Sequence, residues 1–401
     1  MATFEMSCKS YKPNGNSDRS PHVLFVGGED VRMRIPLLLA LRKRGFRVGA
    51  IGSEEGGQFS ASGISYWRYN LHRWIGPLAD WRALRSLRTL FEDIKPDVIH
   101  AFDTKPGMLA PTAATWANVP VKVRTITGMG YVFSSYTPAS LVLRPIYRLF
   151  QRRASADSSM TLFQNIDDQI YFRERGMVSP ENSELVPGSG VDFDALESIK
   201  SSEEKIKRLR DALGLGSGIV VTMVARMVRQ KGVIEFLRAA ELVRRHDKEV
   251  NFLLVGPISG EGRQAIPISL IMKYSDSVNY LGMRHDIPDI LSISDLFVLP
   301  TYYREGVPRV ILEACGLGVP VITTDMPGCR DVVRHGYNGW VVPKRDEAAL
   351  AETIKMVGLM DETQRKSFGM RGRSYVRENF SLDNVADAYS NIYIRQLRKS
   401  K

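Results

Sequence analysis

Two carboxylates, Glu305 and Glu313, flank a Gly-Val-Pro turn in the stretch Tyr302–Ala314, YYREGVPRVILEA. The apolar run before it ends at Pro300 and reads as a buried strand. Gly306 permits a tight backbone turn. Pro308 suits the first turn of a helix, where its missing N–H costs nothing. The N–H groups of Val307, Arg309 and Val310 at that helix start form a cradle for an anion or for hydroxyl groups. Glu305 precedes the turn and Glu313 lies about one turn further along the helix. Carboxylates so placed can accept hydrogen bonds from two sets of sugar hydroxyls. Taken singly they also fit an exposed loop residue and a surface helix residue. However, Glu313 sits among Leu312, Ala314 and Cys315, and a carboxylate in apolar surroundings is costly without a partner.

A second group of candidates is cationic. Arg226 and Lys231 follow the apolar run GIVVTMVA in the segment VARMVRQKG, Val224–Gly232. By themselves they fit a solvated charged loop; beside a diphosphate they would offset its charge. Gly27 and Gly28 follow a first apolar run, HVLFVG, where a plain tight turn is an equal reading. His100 ends another, in DVIHAFDTKP. The string Asp192–Phe193–Asp194, a D-x-D pair of the kind that can bind a divalent ion, follows GSGV at the middle of the chain. Cys8, Cys315 and Cys329 have no metal-ligand spacing, and so odd and sparse a set points to a reducing compartment. The chain has no GxSxG, no Cys/His pair and no phosphate loop ending in GK[ST]. No organic cofactor is implied.

These residues need elements to hold them. Apolar runs alternate with amphipathic stretches: strands at 22–27, 46–52, 97–101, 121–126 and 160–164, with helices over 31–44 and 107–118. The rhythm restarts with a helix over 202–213. Strands at 218–225, 251–256, 278–281, 296–299 and 320–323 follow, with helices over 233–246, 287–293 and 309–317. Such alternation means parallel sheets covered by helices. Two doubly wound domains fit the 401 residues, and ligands bind such sheets at the carboxyl ends of their strands. Helices over 362–378 and 382–399 end the chain. The expected division is a disordered tail at 1–20, a first domain at 21–192, a second at 193–375 and a returning helix at 376–401.

EGVPRVILE resembles the E-x7-E signature of the retaining glycosyltransferases of family 4. VARMVRQKG, LLVGP at Leu253–Pro257, YLGMRHDIP at Tyr280–Pro288 and GVPVITTD at Gly318–Asp325 agree with it. The EGVPR form resembles the subgroup acting in bacterial surface polysaccharide and lipid-linked oligosaccharide assembly. The resemblance implies the GT-B fold, two Rossmann-like domains facing a cleft with C-terminal helices packing back on the first. It implies a nucleotide-sugar donor, most often UDP-linked, and a saccharide acceptor of polyprenyl-diphosphate type. It assigns Glu305 to the donor sugar, Glu313 to the ribose, and Arg226 and Lys231 to the diphosphate. Gly27 and Gly28 fall near the diphosphate, Gly282, Met283 and Arg284 near the base, and His100 near the donor sugar. Asp192–Phe193–Asp194 resembles a family linker turn, and that resemblance implies no metal site. Where the family often has THG, this chain has Thr125–Ile126–Thr127–Gly128, so Thr127 replaces the usual His.

The net charge of +11 is uneven: residues 32–153 hold 19 Lys/Arg against 7 Asp/Glu. Trp67, Trp74 and Trp81, the ladder Arg82, Arg85, Arg88, and the stretch LVLRPIYRLFQRR at 141–153 interleave basic, aromatic and aliphatic residues. This surface suits an anionic membrane, or is a solvated basic face. No run reaches the roughly 20 apolar residues of a membrane span, and the polar start resembles no signal peptide, so a cytoplasmic protein is expected, peripheral on the inner membrane face. Three other classes compete. A nucleotide-sugar epimerase would share the architecture but need no acceptor. A basic nucleic-acid-binding protein would need a recognition motif, which is missing, so no nucleic-acid partner is expected. A nicotinamide-dependent dehydrogenase would need GxGxxG in the first turn.

Overall fold

The computed structural model of the chain describes residues 20–72, 76–130, 133, 138–198, 203–258 and 264–400. Cys8, Trp74 and nearly all of the expected tail lie outside these residues. Short apolar runs, none above six residues, form thirteen strands in two sheets among the described residues. The first sheet holds β1 (His22–Val26), β2 (Arg47–Gly52), β3 (Ser65–Arg68), β4 (Val98–Ala101), β5 (Val121–Ile126), β6 (Met160–Phe163) and β7 (Ser183–Leu185). Its order is β3-β2-β1-β4-β5-β6-β7, with every pair parallel. The second holds β8 (Val220–Val224), β9 (Asn251–Val255), β10 (Asn279–Tyr280), β11 (Leu296–Leu299), β12 (Val321–Thr324) and β13 (Gly339–Val342). Its order is β10-β9-β8-β11-β12-β13, again parallel.

Parallel neighbours need crossover helices, which cover both sheet faces, and β1, β4, β6, β11 and β12 are accordingly buried throughout. Both orders reverse beside the first strand, between β1 and β4 and between β8 and β11. Loops leaving strands at such a switch diverge and open a crevice. This is the GT-B architecture of two Rossmann-like domains. The sequence reading lacks β3, β7 and β13, three short edge strands. It also draws one helix over 31–44 where the chain makes a 3-10 turn, Val31–Arg34, and then the helix Ile35–Lys43. Pro36 lies in that helix's first turn, where its fixed φ is tolerated.

The chain passes between the domains twice, and the passages lie side by side. Val191 N–H donates to Phe380 O at 2.9 Å, and Leu382 N–H donates to Val191 O at 2.8 Å. Gly190, at φ +82°, lies so close that a Cβ there would be 2.8 Å from Leu382 Cα. The helix Glu362–Phe380 packs on the second domain through Val376 and Phe380. It ends at Ser381, whose side chain caps the next helix by accepting from Asn384 N–H. That helix, Leu382–Lys399, returns to the first sheet and buries Val385, Ala386, Tyr389, Ile392 and Tyr393 with Val23, Phe25, Leu37 and Leu41.

His100 lies beneath this returning helix and is fully buried. Its Nδ1 is hydrogen-bonded to Tyr393 OH at 2.5 Å and its Nε2 to Thr125 Oγ1 at 2.7 Å. The ring stacks on Phe102 at 4.1 Å between centroids. A ring with no exposed atom and both nitrogens engaged cannot reach a donor sugar, so the expected placement of His100 at the cleft is corrected: it ties the last helix to β4. Burial holds its pKa well below the usual histidine value, with nearby Arg34 adding to the effect. The unfolded chain therefore takes up a proton near pH 6.5 that the fold refuses. The stability tied to this group is complete above that pH and is lost as pH falls, by up to about 1.4 kcal/mol per pH unit. His100→Gln keeps hydrogen-bonding capacity without titrating. Urea unfolding from pH 7 to pH 5 should show a steeper loss for the unmodified chain than for the variant; parallel curves would refute the assignment.

Candidate active site

In the second domain two strand-end loops meet at the switch between β8 and β11. After β8 the chain is pinned by Met227, whose N–H donates to Pro257 O at 3.0 Å and whose carbonyl accepts from Ile266 N–H at 2.9 Å. It then turns at Gly232, φ +79°, where a Cβ would lie 2.1 Å from Pro300 O. Only glycine lets the loop lean on the end of β11 so closely. Gln230 O accepts from Tyr302 N–H at 2.9 Å and from Thr301 Oγ1 at 3.1 Å. Lys231 thereby reaches the second loop: its Nζ pairs with Glu305 Oε1 at 2.7 Å, with both side chains more than four-fifths buried. Thr301 Oγ1 also lies 3.3 Å from that oxygen. Two residues 74 positions apart are thus one unit. Arg226 is exposed on the same loop as Lys231.

The Glu305 loop is held as firmly by the first domain. Gly306 N–H donates to Thr127 O at 3.0 Å, and Gly128 pairs with Glu305 as an antiparallel bridge. Asn165 Nδ2 donates to the carbonyls of Glu305 and Gly306, each at 3.2 Å. A Cβ on Gly306 would lie 2.1 Å from Gln164 Oε1, and one on Gly328 only 1.5 Å from Gly306 O. Next in the chain, Arg304 Nε pairs with Asp168 Oδ1 at 2.6 Å, and Asp168 is wholly buried. Thr127, Gln164, Asn165, Asp168 and Arg304 are absent from the sequence-derived site or present only as a family departure. They are ordinary polar residues on the loops and the helix start that follow strands, and they meet only where the domains meet.

The expected anion cradle is smaller than the sequence suggests. Val307 N–H is 3.4 Å from Gln164 Oε1, and Pro308 is the residue before the helix Arg309–Gly316, not its first turn. Among the described residues the backbone N–H groups of Arg309 and Val310 have no acceptor. The partner that Glu313 requires is Arg309, whose Nε donates to Glu313 Oε1 at 2.8 Å. Arg309 Nη1 reaches further, to Met33 O of the first domain at 3.0 Å. Arg284 is held by both oxygens of Asp286. This pairing lowers the Asp286 pKa and raises that of Arg284. Gly282, at φ +66°, accepts from Gly256 N–H at 2.8 Å, and Met283 beside it is exposed.

In the first domain, Gly27 has no room for a side chain, since a Cβ would lie 2.9 Å from that of Val31. Its carbonyl accepts from Tyr69 OH at 3.1 Å, and Gly28 O from Ser53 N–H at 3.3 Å, so the glycine loop is fixed through its backbone. Asp192 accepts from Ala195 N–H at 3.0 Å and caps the short helix Phe193–Ser198. Among the described residues no three His, Cys, Asp or Glu side chains gather as a metal site. Cys315 and Cys329 are buried, and burial pushes each thiol up to about 12; for Cys329 the charge of Glu305 adds to this. Both stay protonated and neither is a nucleophile.

The arrangement offers a lysine beside a carboxylate, unused helix N–H groups and a second carboxylate one helical turn away, all at the crevice between two sheets. It suits a ligand with a diphosphate, a ribose and a sugar. Residues 205–375 match the family Glycosyl transferases group 1, and residues 36–188 match the Glycosyl transferase 4-like domain. The chain is 25% identical over 378 residues to the N,N'-diacetylbacillosaminyl-diphospho-undecaprenol alpha-1,3-N-acetylgalactosaminyltransferase of Campylobacter jejuni, covering 93% of this chain and 97% of that one. It is 28% identical over 331 residues to the UDP-Gal:alpha-D-GlcNAc-diphosphoundecaprenol alpha-1,3-galactosyltransferase of Escherichia coli, covering 81% and 82%. The structure of Anabaena HepE in complex with UDP and glucose superimposes with a TM-score of 0.76 at 19% identity, over 94% of this chain and 100% of the other, and so shares the fold. With each half matched to its own domain family, and the paired glutamates and cations held at one crevice, the chain belongs to the group 1, family 4-like glycosyltransferases.

Proposed function

We propose that this chain moves a hexosyl or N-acetylhexosaminyl group from a UDP-linked donor to a polyprenyl-diphosphate-linked saccharide, with retention at the anomeric carbon and without a metal ion. The observation that carries the reading is the Lys231–Glu305 pair at 2.7 Å, which joins a cation for the diphosphate to a carboxylate for the sugar. The names of the two bacterial relatives, both acting on diphospho-undecaprenol saccharides, support the acceptor class.

In the proposed reaction the acceptor oxygen bonds to the anomeric carbon as the bond from that carbon to the diphosphate breaks. The electron pair goes to the diphosphate, which also carries off the acceptor's hydroxyl proton. Charge therefore grows on the leaving diphosphate. Lys231, Arg226 and the N–H groups of Arg309 and Val310 are the donors available to it, and one well-aimed donor is worth about 3–4 kcal/mol in the transition state. Glu313 accepts from the ribose and must exchange its bond to Arg309 for one to the ligand, or share it.

Arg226→Ala should slow transfer by roughly 10²–10³-fold with little change in unfolding temperature, and Lys231→Ala should slow it as much while also lowering the unfolding temperature, because it leaves the buried Glu305 carboxylate unpaired. Glu313→Gln should weaken UDP binding, which Glu305→Gln should leave nearly unchanged, because UDP carries ribose but no sugar. Titration calorimetry with UDP and turnover with the four common UDP-hexoses and UDP-N-acetylhexosamines measure both. Equal losses of UDP affinity in the two glutamate variants would overturn the division of roles. An inverted product anomer, or activity lost in a chelator and restored by manganese, would overturn retention or metal independence.

A lipid-linked acceptor calls for a membrane surface. Among the described residues no helix is long and apolar enough to cross a membrane. The helix Pro138–Ala156 instead turns Tyr147, Gln151 and Ala154 inward and exposes Val142 (70%), Ile146 (50%), Leu149 (66%) and Phe150 (56%). Three of its arginines are partly occupied: Arg148 with Tyr171 OH, Arg152 with the carbonyls of Arg175 and Gly176, and Arg153 with Asp157. The apolar stripe therefore counts for more than the charge pattern in the sequence suggests. The protein should sediment with vesicles containing anionic lipid at low salt and detach only in part at high salt, since salt screens charge but not apolar burial. Val142, Leu149 and Phe150 changed together to Ser should abolish the salt-resistant part and leave UDP affinity intact. Failure of the unmodified protein to sediment at low salt would refute the docking surface.

A further inference from the structure

The first domain contributes its own charged cluster to the crevice, from the loops after β1, β4 and β5. Arg34 ends the 3-10 turn after β1. Its guanidinium carbon lies over Phe102, 3.8 Å from the ring centroid, and its Nη2 donates to Asp103 Oδ1 at 3.3 Å. Thr127 Oγ1 is 3.5 Å from that same oxygen, and Thr127 O is the acceptor for Gly306 N–H. The cluster is thus one residue from the Glu305 loop.

Three features go beyond what a structural ion pair requires. Asp103 has φ +66°, a left-handed conformation that residues other than glycine seldom adopt and that gathers at functional sites. Its side chain is 34% exposed, and Oδ2 has no hydrogen-bond donor among the described residues. Arg34 is only 11% exposed, yet its Nε is buried without an acceptor. A buried guanidinium N–H left unbonded is unfavourable, so Arg34 is kept against Asp103 at a cost. The chain Tyr393–His100–Phe102–Arg34 holds the cluster from behind: His100 stacks on Phe102, and Phe102 supports Arg34.

We propose that Asp103 receives the acceptor sugar and that Arg34 positions it: Asp103 Oδ2 accepts a hydrogen bond from a hydroxyl of that sugar other than the attacking one, while Arg34 Nη2 holds Asp103 through Oδ1. The inference rests on the transferase reading above and names the residues on its acceptor side. It also gives an acceptor-side group to a chain in which Thr127 occupies the position where the family often has histidine.

Asp103→Asn is the discriminating variant. Asparagine tolerates the left-handed conformation, keeps one oxygen for Arg34, and turns the other into a donor. UDP release from a UDP-hexose or UDP-N-acetylhexosamine that the unmodified chain turns over would be followed with and without a short-chain polyprenyl-diphosphate N-acetylglucosamine. Acceptor-dependent release should fall, or the acceptor KM rise, by about 10- to 100-fold, the loss of one charge-assisted hydrogen bond. UDP affinity should stay within about twofold. Arg34→Lys, which keeps the charge but not the planar fork, should raise the acceptor KM and leave UDP affinity unchanged. Unaltered acceptor kinetics in Asp103→Asn, or a loss of UDP affinity as large as the loss of transfer, would overturn the inference alone. No acceptor-dependent release from the unmodified chain would overturn the lipid-linked reading and this inference with it, while leaving UDP binding and the donor site standing.

Discussion

The hydrogen bond from Gly306 N–H to Thr127 O is where the two domains become one site. Neither partner is a side chain, so the bond depends on how near the two backbones can come. That nearness depends on glycine at Gly306, Gly128 and Gly328, where added Cβ atoms would collide with Gln164, with Gly306 and Arg304, and with Gly306 O in turn. Glu305 precedes this contact and takes its direction from it. Its carboxylate meets Lys231 within the second domain, while its backbone pairs with Gly128 of the first. The contact between the domains and the direction of Glu305 are therefore set together. A reaction that gains from fixed geometry needs such coupling, because small displacements of positioning groups cost rate steeply.

Ion pairs set the register of that contact. Asp168 is buried, and desolvation raises its pKa, while Arg304 and Asn165 pull it back. Arg330 reaches Asp167 of the same helix start, and Arg309 reaches Met33 on the opposite side of the crevice. Buried pairs add little net stability once desolvation is counted, but breaking one partner is costly. They select one arrangement of the domains over near alternatives. Asn165, Asp167 and Asp168 lie together at one helix N-terminus, where acidic side chains are favoured. That helix start serves as the first domain's handhold on the second.

The grouping of the candidate residues in the second domain was legible in the sequence because their spacing is local. Glu305, Gly306, Arg309 and Glu313 lie within one turn-and-helix unit, and Arg226 and Lys231 within one loop, so spacing carries the information. The first domain was less legible because its contribution is assembled from four strand ends. Arg34, Asp103, Thr127 and Asn165 have no common spacing, and only sheet order brings them together. His100 was misread for a related reason. In a strand buried on both faces, alternation does not say which face a polar residue takes, and His100 shares with Phe102 the side that meets the returning helix. The stretch 141–153 was read through its arginines, yet the periodicity of Val142, Ile146, Leu149 and Phe150 is the stronger physical signal once Arg148, Arg152 and Arg153 are seen bonded to their neighbours.

The paired passages at Val191 and Ser381 make the second domain an insertion in the first. Residues from Phe193 to Phe380 form their own core, whereas the core of the first sheet lacks Val385, Tyr389, Ile392 and Tyr393 until the last helix exists. During synthesis, which runs from the N-terminus and lets domains fold as units, the half that begins first is completed last. Until then His100 lacks Tyr393, Phe25 and Phe46 lack their cover, and an apolar sheet face waits while nearly two hundred further residues are added. The order of assembly is fixed by topology: the second domain can close alone, and the first must wait for the helix Leu382–Lys399.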